Sequence, residues 1–210
     1  MKNPIKLALT LAYITVFYNI LEGLFSVLLG INDETIALAG FGIDSFVEVF
    51  SGIGILHMLI RFKQTSEENI GRFEKTALYI TSISFYILTL SLIITAVLNL
   101  FLFKKQPEST LAGIIISLIS ILTMWLLVYY KNKVALELNS KAIKADAACT
   151  KTCMNLSFVL LASSFLYQIW NIPYVDSLAG IIIAYFSFKE GKEAWSNAKT
   201  SSIKCSCSCH

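Results

Sequence analysis

The sequence predicts an all-α protein, an integral membrane bundle of six transmembrane helices with both termini in the cytosol. Three observations lead there. Of 210 residues, 56% are hydrophobic and only 15% are charged, against roughly 25% charged in a soluble domain. The apolar residues gather into long runs separated by short links. Basic residues concentrate in every second link.

The first run, 5–30, follows Lys2 and Lys6 as a secretory leader would. It continues through Ile14 and Phe17 to Leu29 without a small-residue cleavage site, so it reads as a retained span. Further runs cover 36–60, 76–103, 111–130, 142–170 and 174–188, the last being the shortest. A span needs about 20 mostly apolar residues, so each run is a candidate helix. The links at 31–35, 61–75, 104–110, 131–141 and 171–173 make consecutive helices antiparallel neighbours.

Arg61, Lys63, Arg72 and Lys75 follow the second span, and Lys131, Lys133, Lys141 and Lys144 surround the fourth link. Lys189, Lys192, Lys199 and Lys204 follow the sixth. The alternate links hold Lys104 and Lys105, with Asp33 and Glu34 in the first of them, so the positive-inside rule places both termini in the cytosol. Trp170 and Tyr174 flank the fifth link as interfacial aromatics or as ordinary lipid-facing ones. The organisation expected is a transmembrane domain over 1–195 and a cytosolic Cys/Ser/His tail over 196–210.

Several classes are excluded. The length leaves no room for a separate soluble domain, and a net charge of +3 spread over links offers no nucleic-acid groove. The five cysteines do not form a secreted disulfide framework. An enzyme is not expected: the chain has no His-Glu-x-x-His and no Gly-x-Ser-Gly motif, and His57 has no counterpart for a haem.

The chemistry lies in ionisable residues that lipid disfavours. A central Asp costs about 2.5–3.5 kcal/mol on insertion scales, so intramembrane carboxylates are functional candidates. Glu22 lies in the first span, Asp44 and Glu48 in the second, Asp146 early in the fifth, and Asp176 opens the sixth. Asp44 and Glu48, four apart, sit within about 40° on one helix face. Either a bound cation or shared protons relieves their repulsion. Asp146, Cys149 and Cys153 line one stripe at i, i+3 and i+7. The cysteines read as thiolate ligands or as small buried hydrophobes.

Glu48 and Cys153 both fall near the middle of their spans. At about 1.5 Å per residue, Asp44, Glu48, Cys149 and Cys153 are expected to meet near the midplane. Two carboxylates and two thiolates supply the four ligands of a zinc site, and thiolates favour thiophilic ions over magnesium or calcium. Asp146 is a candidate pathway or supporting group. Cys205, Cys207, Cys209 and His210 pack soft ligands into the tail, either a metal-collecting tract or a redox-sensitive end. His57 reads as interfacial. Glu22 and Asp176 are either pathway groups or helix-packing carboxylates.

The segments carrying Asn19, Glu22 and Gly23, then Ala39-Gly-Phe-Gly-Ile-Asp44-Ser-Phe-Val-Glu48, Lys144-Ala-Asp146-Ala-Ala-Cys149-Thr-Lys-Thr-Cys153, and Val175-Asp176-Ser, together resemble the cation diffusion facilitators. The resemblance is strongest to short bacterial members without a C-terminal cytosolic domain. It implies proton-coupled export of zinc or a related divalent cation by a homodimer that alternates between inward-open and outward-open states. It also implies that Asp44 and Glu48 with Cys149 and Cys153 form the transport site. Paired cysteines, where zinc exporters usually carry His and Asp, point toward cadmium or another thiophilic ion. Lys151 shares the helix of the thiols and is expected to face away, about 200° from Cys149. A membrane metal sensor or buffer that binds without transport is the alternative.

Overall fold

The computed structural model describes residues 4–32, 36–62, 70–101, 110–170 and 175–200. They form six helices and, among the described residues, no strand: α1 (Pro4–Asn32), α2 (Ile36–Phe62), α3 (Ile70–Phe101), α4 (Thr110–Glu137), α5 (Lys141–Trp170) and α6 (Val175–Thr200). α1 opens on Pro4, whose fixed φ suits a first helical position and whose missing N–H is not needed there. Among the described residues, four helices carry stretches long and apolar enough to cross a bilayer, Pro4–Ile31, Leu38–Phe62, Gly71–Leu98 and Gly113–Glu137.

Burial is distributed as a lipid-facing bundle requires. Phe17, Phe25, Ile53, Leu90, Leu122 and Tyr185 are exposed, while Thr15, Asn19, Glu22 and Ser26 of α1 are buried. Those four polar positions recur every three or four residues, so one face of an apolar helix turns its hydroxyl, amide and carboxyl groups inward. The chain is a multi-pass membrane protein.

α1 packs chiefly along α2, α3 along α6 and α4 along α5, with α2 also lying against α3 and α5. Backbone proximity sets the first pair. A Cβ on Gly42 would stand 2.8 Å from the Gly23 carbonyl oxygen and 2.7 Å from Val27 Cγ2, so only a residue without a side chain lets the helices meet here. α3 and α6 are joined differently: Ser82 Oγ donates to the Gly191 carbonyl at 2.7 Å, and Tyr79 meets Trp195 edge to face at 4.9 Å.

Two apolar clusters hold the bundle. Leu38 and Phe41 of α2 belong to one, Ile55, Met58 and Leu59 to the other, with Asp44, Glu48 and Ser51 between them along the helix. The buried acids of α2 therefore lie in a layer between the two clusters, with Val47 of the first cluster among them.

The fourth link differs from the expected 131–141. α4 continues through Glu137, and 138–140 alone separate it from α5. The turn is a Schellman motif: Ser140 N–H reaches the Ala135 carbonyl, Asn139 N–H reaches the Leu136 carbonyl, and Asn139 takes φ 46°. Asn tolerates that left-handed geometry better than most residues. Ser140 then caps α5 through the Ile143 N–H, while Glu74 of α3 accepts from Ser140 Oγ at 2.8 Å. α6 likewise continues to Thr200, into the stretch assigned to the tail. Hydropathy ends where the bilayer ends, but the helical hydrogen-bond ladder does not stop there.

Candidate metal site

The acidic face of α2 is buried as its spacing requires. Asp44 is 3% exposed and Glu48 fully buried. Each carboxylate finds a hydroxyl on a neighbouring helix: Ser91 Oγ of α3 donates to Asp44 Oδ1 at 2.9 Å, and Thr150 Oγ1 of α5 donates to Glu48 Oε1. Glu48 Oε2 is buried with no hydrogen-bond partner among the described residues. An unsatisfied carboxylate oxygen in an apolar interior is costly unless something positive reaches it.

The thiols of Cys149 and Cys153 are free and buried. Cys153 lies beside both Cys149 and Glu48 and within electrostatic range of Asp44. The four expected donors thus share one buried neighbourhood between α2 and α5. Among the described residues, no three Cys, His, Asp or Glu side chains converge on one point as a ready-made metal ligand set.

A cation of the protein's own stands beside Glu48. Lys131 of α4 is 2% exposed, with its Nζ 2.8 Å from Asp146 Oδ2 and 3.8 Å from Glu48 Oε1. It donates to Thr150 Oγ1 at 2.7 Å, and Thr150 passes its own proton toward Glu48. Asp146 is held from its other oxygen by Ser51 Oγ at 2.9 Å, and Ser51 bonds Thr81 of α3 at 3.1 Å. Side chains from α2, α3, α4 and α5 thus form one polar chain.

Sequence reasoning assigned Lys131 to a cytosolic link; it belongs instead to the buried interior. A signal for it existed. Ser117, Ser120, Met124, Leu127, Lys131 and Val134 are all buried and follow one another at steps of three and four. Extending the α4 stripe past the end of the apolar run carries Lys131 inward with it. Thr150, one position after Cys149, was missed because a hydroxyl inside a span is common and carries no signal of its own.

The remaining candidates are placed as follows. Lys151 is exposed, so it faces away from the thiols. Glu22 is buried and accepts from Tyr18 Oη at 2.9 Å and from Ser45 Oγ at 3.0 Å. His57 is exposed and meets Phe73 edge to face at 5.9 Å. The side chains of Asp176 and Trp170, together with Tyr174 and the tail ligands Cys205, Cys207, Cys209 and His210, lie outside the described residues.

Comparison with known proteins agrees with this architecture. The chain is 28% identical over 170 residues to an uncharacterized transporter of Methanocaldococcus jannaschii, MJ0449, in a match covering 79% of this chain and 59% of that protein. It therefore spans about three-fifths of the length of that curated relative. The model of the cation efflux transmembrane domain matches residues 12–200, a range that takes in most of α1 and all of α2 to α6, with every carboxylate and thiol of the buried layer. The chain belongs to the cation efflux family.

Proposed function

We propose that this protein exports a divalent metal cation, zinc or a more thiophilic ion such as cadmium, and that Asp44, Glu48, Cys149 and Cys153 are its transport ligands. The observation that carries this reading is Glu48: a fully buried carboxylate whose Oε2 has no close hydrogen-bond partner among the described residues, lying beside a buried thiol pair. Oxygen and sulfur donors together suit a borderline ion. A hard ion such as magnesium gains little from the thiols.

Transport follows as proton-coupled alternating access, with both termini in the cytosol and two copies forming a homodimer. In an inward-open state the α2 and α5 donors take the metal from the cytosol. Reorientation exposes them outward, where protons compete for carboxylate and thiolate and the metal leaves, because donor affinity falls on protonation. Asp146, engaged by Lys131 and Ser51, serves as a supporting group rather than a direct ligand. The tail ligands Cys205, Cys207, Cys209 and His210 then collect or buffer cytosolic metal. The transmembrane domain is assigned to 1–195 and the tail to 196–210.

Flux into proteoliposomes tests this across zinc, cadmium, iron and manganese. Glu48→Ala and Cys153→Ser should each lower zinc or cadmium flux by at least ~100-fold, beyond the 10–100-fold effect typical of outer-shell groups. Flux that survives both substitutions refutes the ligand assignment. Metal binding without flux in the wild type makes the chain a membrane metal buffer instead.

A further inference from the structure

A lysine close to a helix end ordinarily extends its ammonium group to the membrane surface. Lys131 stands roughly 9 Å from the C-terminal end of α4 at ~1.5 Å per residue, within reach of that surface, yet it turns inward and is 2% exposed. The tight Asn139 turn folds α5 back along α4 and brings Asp146 and Thr150 opposite it. A buried ammonium is tolerated only where paired charge and hydrogen bonds replace its water. Here Asp146 supplies the close contact and Glu48 the more distant one, 2.8 and 3.8 Å respectively, with Thr150 bridging.

The asymmetry of those two contacts matters. Asp146 is anchored on both sides, by Lys131 and by Ser51. Glu48 is held on Oε1, through Thr150 and the outlying ammonium, and lies beside the Cys153 thiol, while its Oε2 has no close hydrogen-bond partner among the described residues. A cation arriving at Glu48 therefore meets a positive charge already there, and that charge has an alternative partner in Asp146.

We propose that Lys131 is a tethered counter-ion of the transport site, holding Glu48 when metal is absent, opposing the dication electrostatically and settling wholly onto Asp146 when metal binds. The inference rests on the transport-site reading above and adds a positioning residue that no metal touches. Its consequence is a weakened ground-state affinity that makes release faster. Removing the ammonium strengthens metal binding and slows turnover, because the bound metal loses its competitor.

The full-length chain in lipid nanodiscs, titrated with Cd²⁺ by equilibrium dialysis and with Co²⁺ by thiolate-to-metal absorption, tests this alongside proteoliposome flux. Lys131→Gln should bind Cd²⁺ about 10–100-fold more tightly, the span over which outer-shell groups act on metal affinity. KM and kcat should fall together. Lys131→Arg, which keeps the charge, should retain the wild-type balance of KM and kcat. Lys133→Gln, the loss of an exposed charge two residues away, should change neither. If Lys131→Gln fails to fold because Asp146 is left unpaired, the double variant Lys131→Gln/Asp146→Asn removes both charges and should show the same tightening.

Folded variants that bind Cd²⁺ no more tightly than wild type overturn the counter-ion. So does a loss of kcat with KM unchanged, which a purely structural lysine gives. A wild type that neither binds nor carries Cd²⁺ or Zn²⁺ overturns the transport-site reading first, and the counter-ion falls with it.

Discussion

Glu22 and Glu48 are both intramembrane glutamates buried among helices, and they are finished differently. Glu22, between α1 and α2, accepts a hydroxyl on each oxygen, from Tyr18 and from Ser45. Glu48, facing α4 and α5, accepts one hydroxyl, and its other oxygen has no close hydrogen-bond partner among the described residues, with the Cys153 thiol beside the carboxylate. The first arrangement is closed by the protein's own groups, and its Ser45 bond ties α1 to α2. The second leaves one oxygen open with a buried ammonium at its edge, an arrangement that suits the exchanging ligand proposed above. Burial of an acid inside a membrane does not distinguish these two surroundings; the partners of each oxygen do.

Breaking the Glu48 region has the largest effect on stability. Asp146→Asn leaves the Lys131 ammonium buried against one distant carboxylate, and loss of one partner of a buried ion pair costs about 3–5 kcal/mol. Denaturant unfolding in mixed micelles should show this loss, and the double variant with Lys131→Gln should recover much of it. A single Asp146→Asn as stable as wild type removes the claim that this pair holds the centre.

The Glu22 region depends first on backbone contact. Gly42→Ala places a Cβ 2.8 Å from the Gly23 carbonyl oxygen, and overpacking of this kind costs about 1–3 kcal/mol. The same unfolding assay measures it. A shift of α1 away from α2 also lengthens the Ser45 to Glu22 bond, so a neutral outcome would show that the two helices adjust freely.

Smallest is Tyr18→Phe, which removes one hydroxyl from Glu22 while those of Ser45 and Ser120 remain. Its cost should be about 1 kcal/mol, the net value of one hydrogen bond, with metal flux unchanged. A large flux defect in Tyr18→Phe would erase the distinction between the two carboxylates and move Glu22 onto the cation pathway.

Much of the bundle was legible because helix periodicity and hydropathy are local. The spacing of Asp44 and Glu48, and of Cys149 and Cys153, fixes a shared face on each helix whatever surrounds it. Exposure of Lys151 follows from the same rotation. The interior hydroxyls were not legible, because a serine or threonine in a span gains meaning only from what lies across from it. Ser91 matters through Asp44 and Thr150 through Glu48, each on another helix.

By itself, the chain determined that its excess of apolar residues would face lipid as helices and that a few acids and thiols would be carried inside on defined faces. Tertiary structure alone decided which of those acids were satisfied and by what. Asn139, in a left-handed backbone conformation, turns α5 back on α4 and brings Lys131 against Asp146. Ion pairing in a dry interior depends on distances of a few ångströms between separate helices. No pattern along a single helix encodes such a distance.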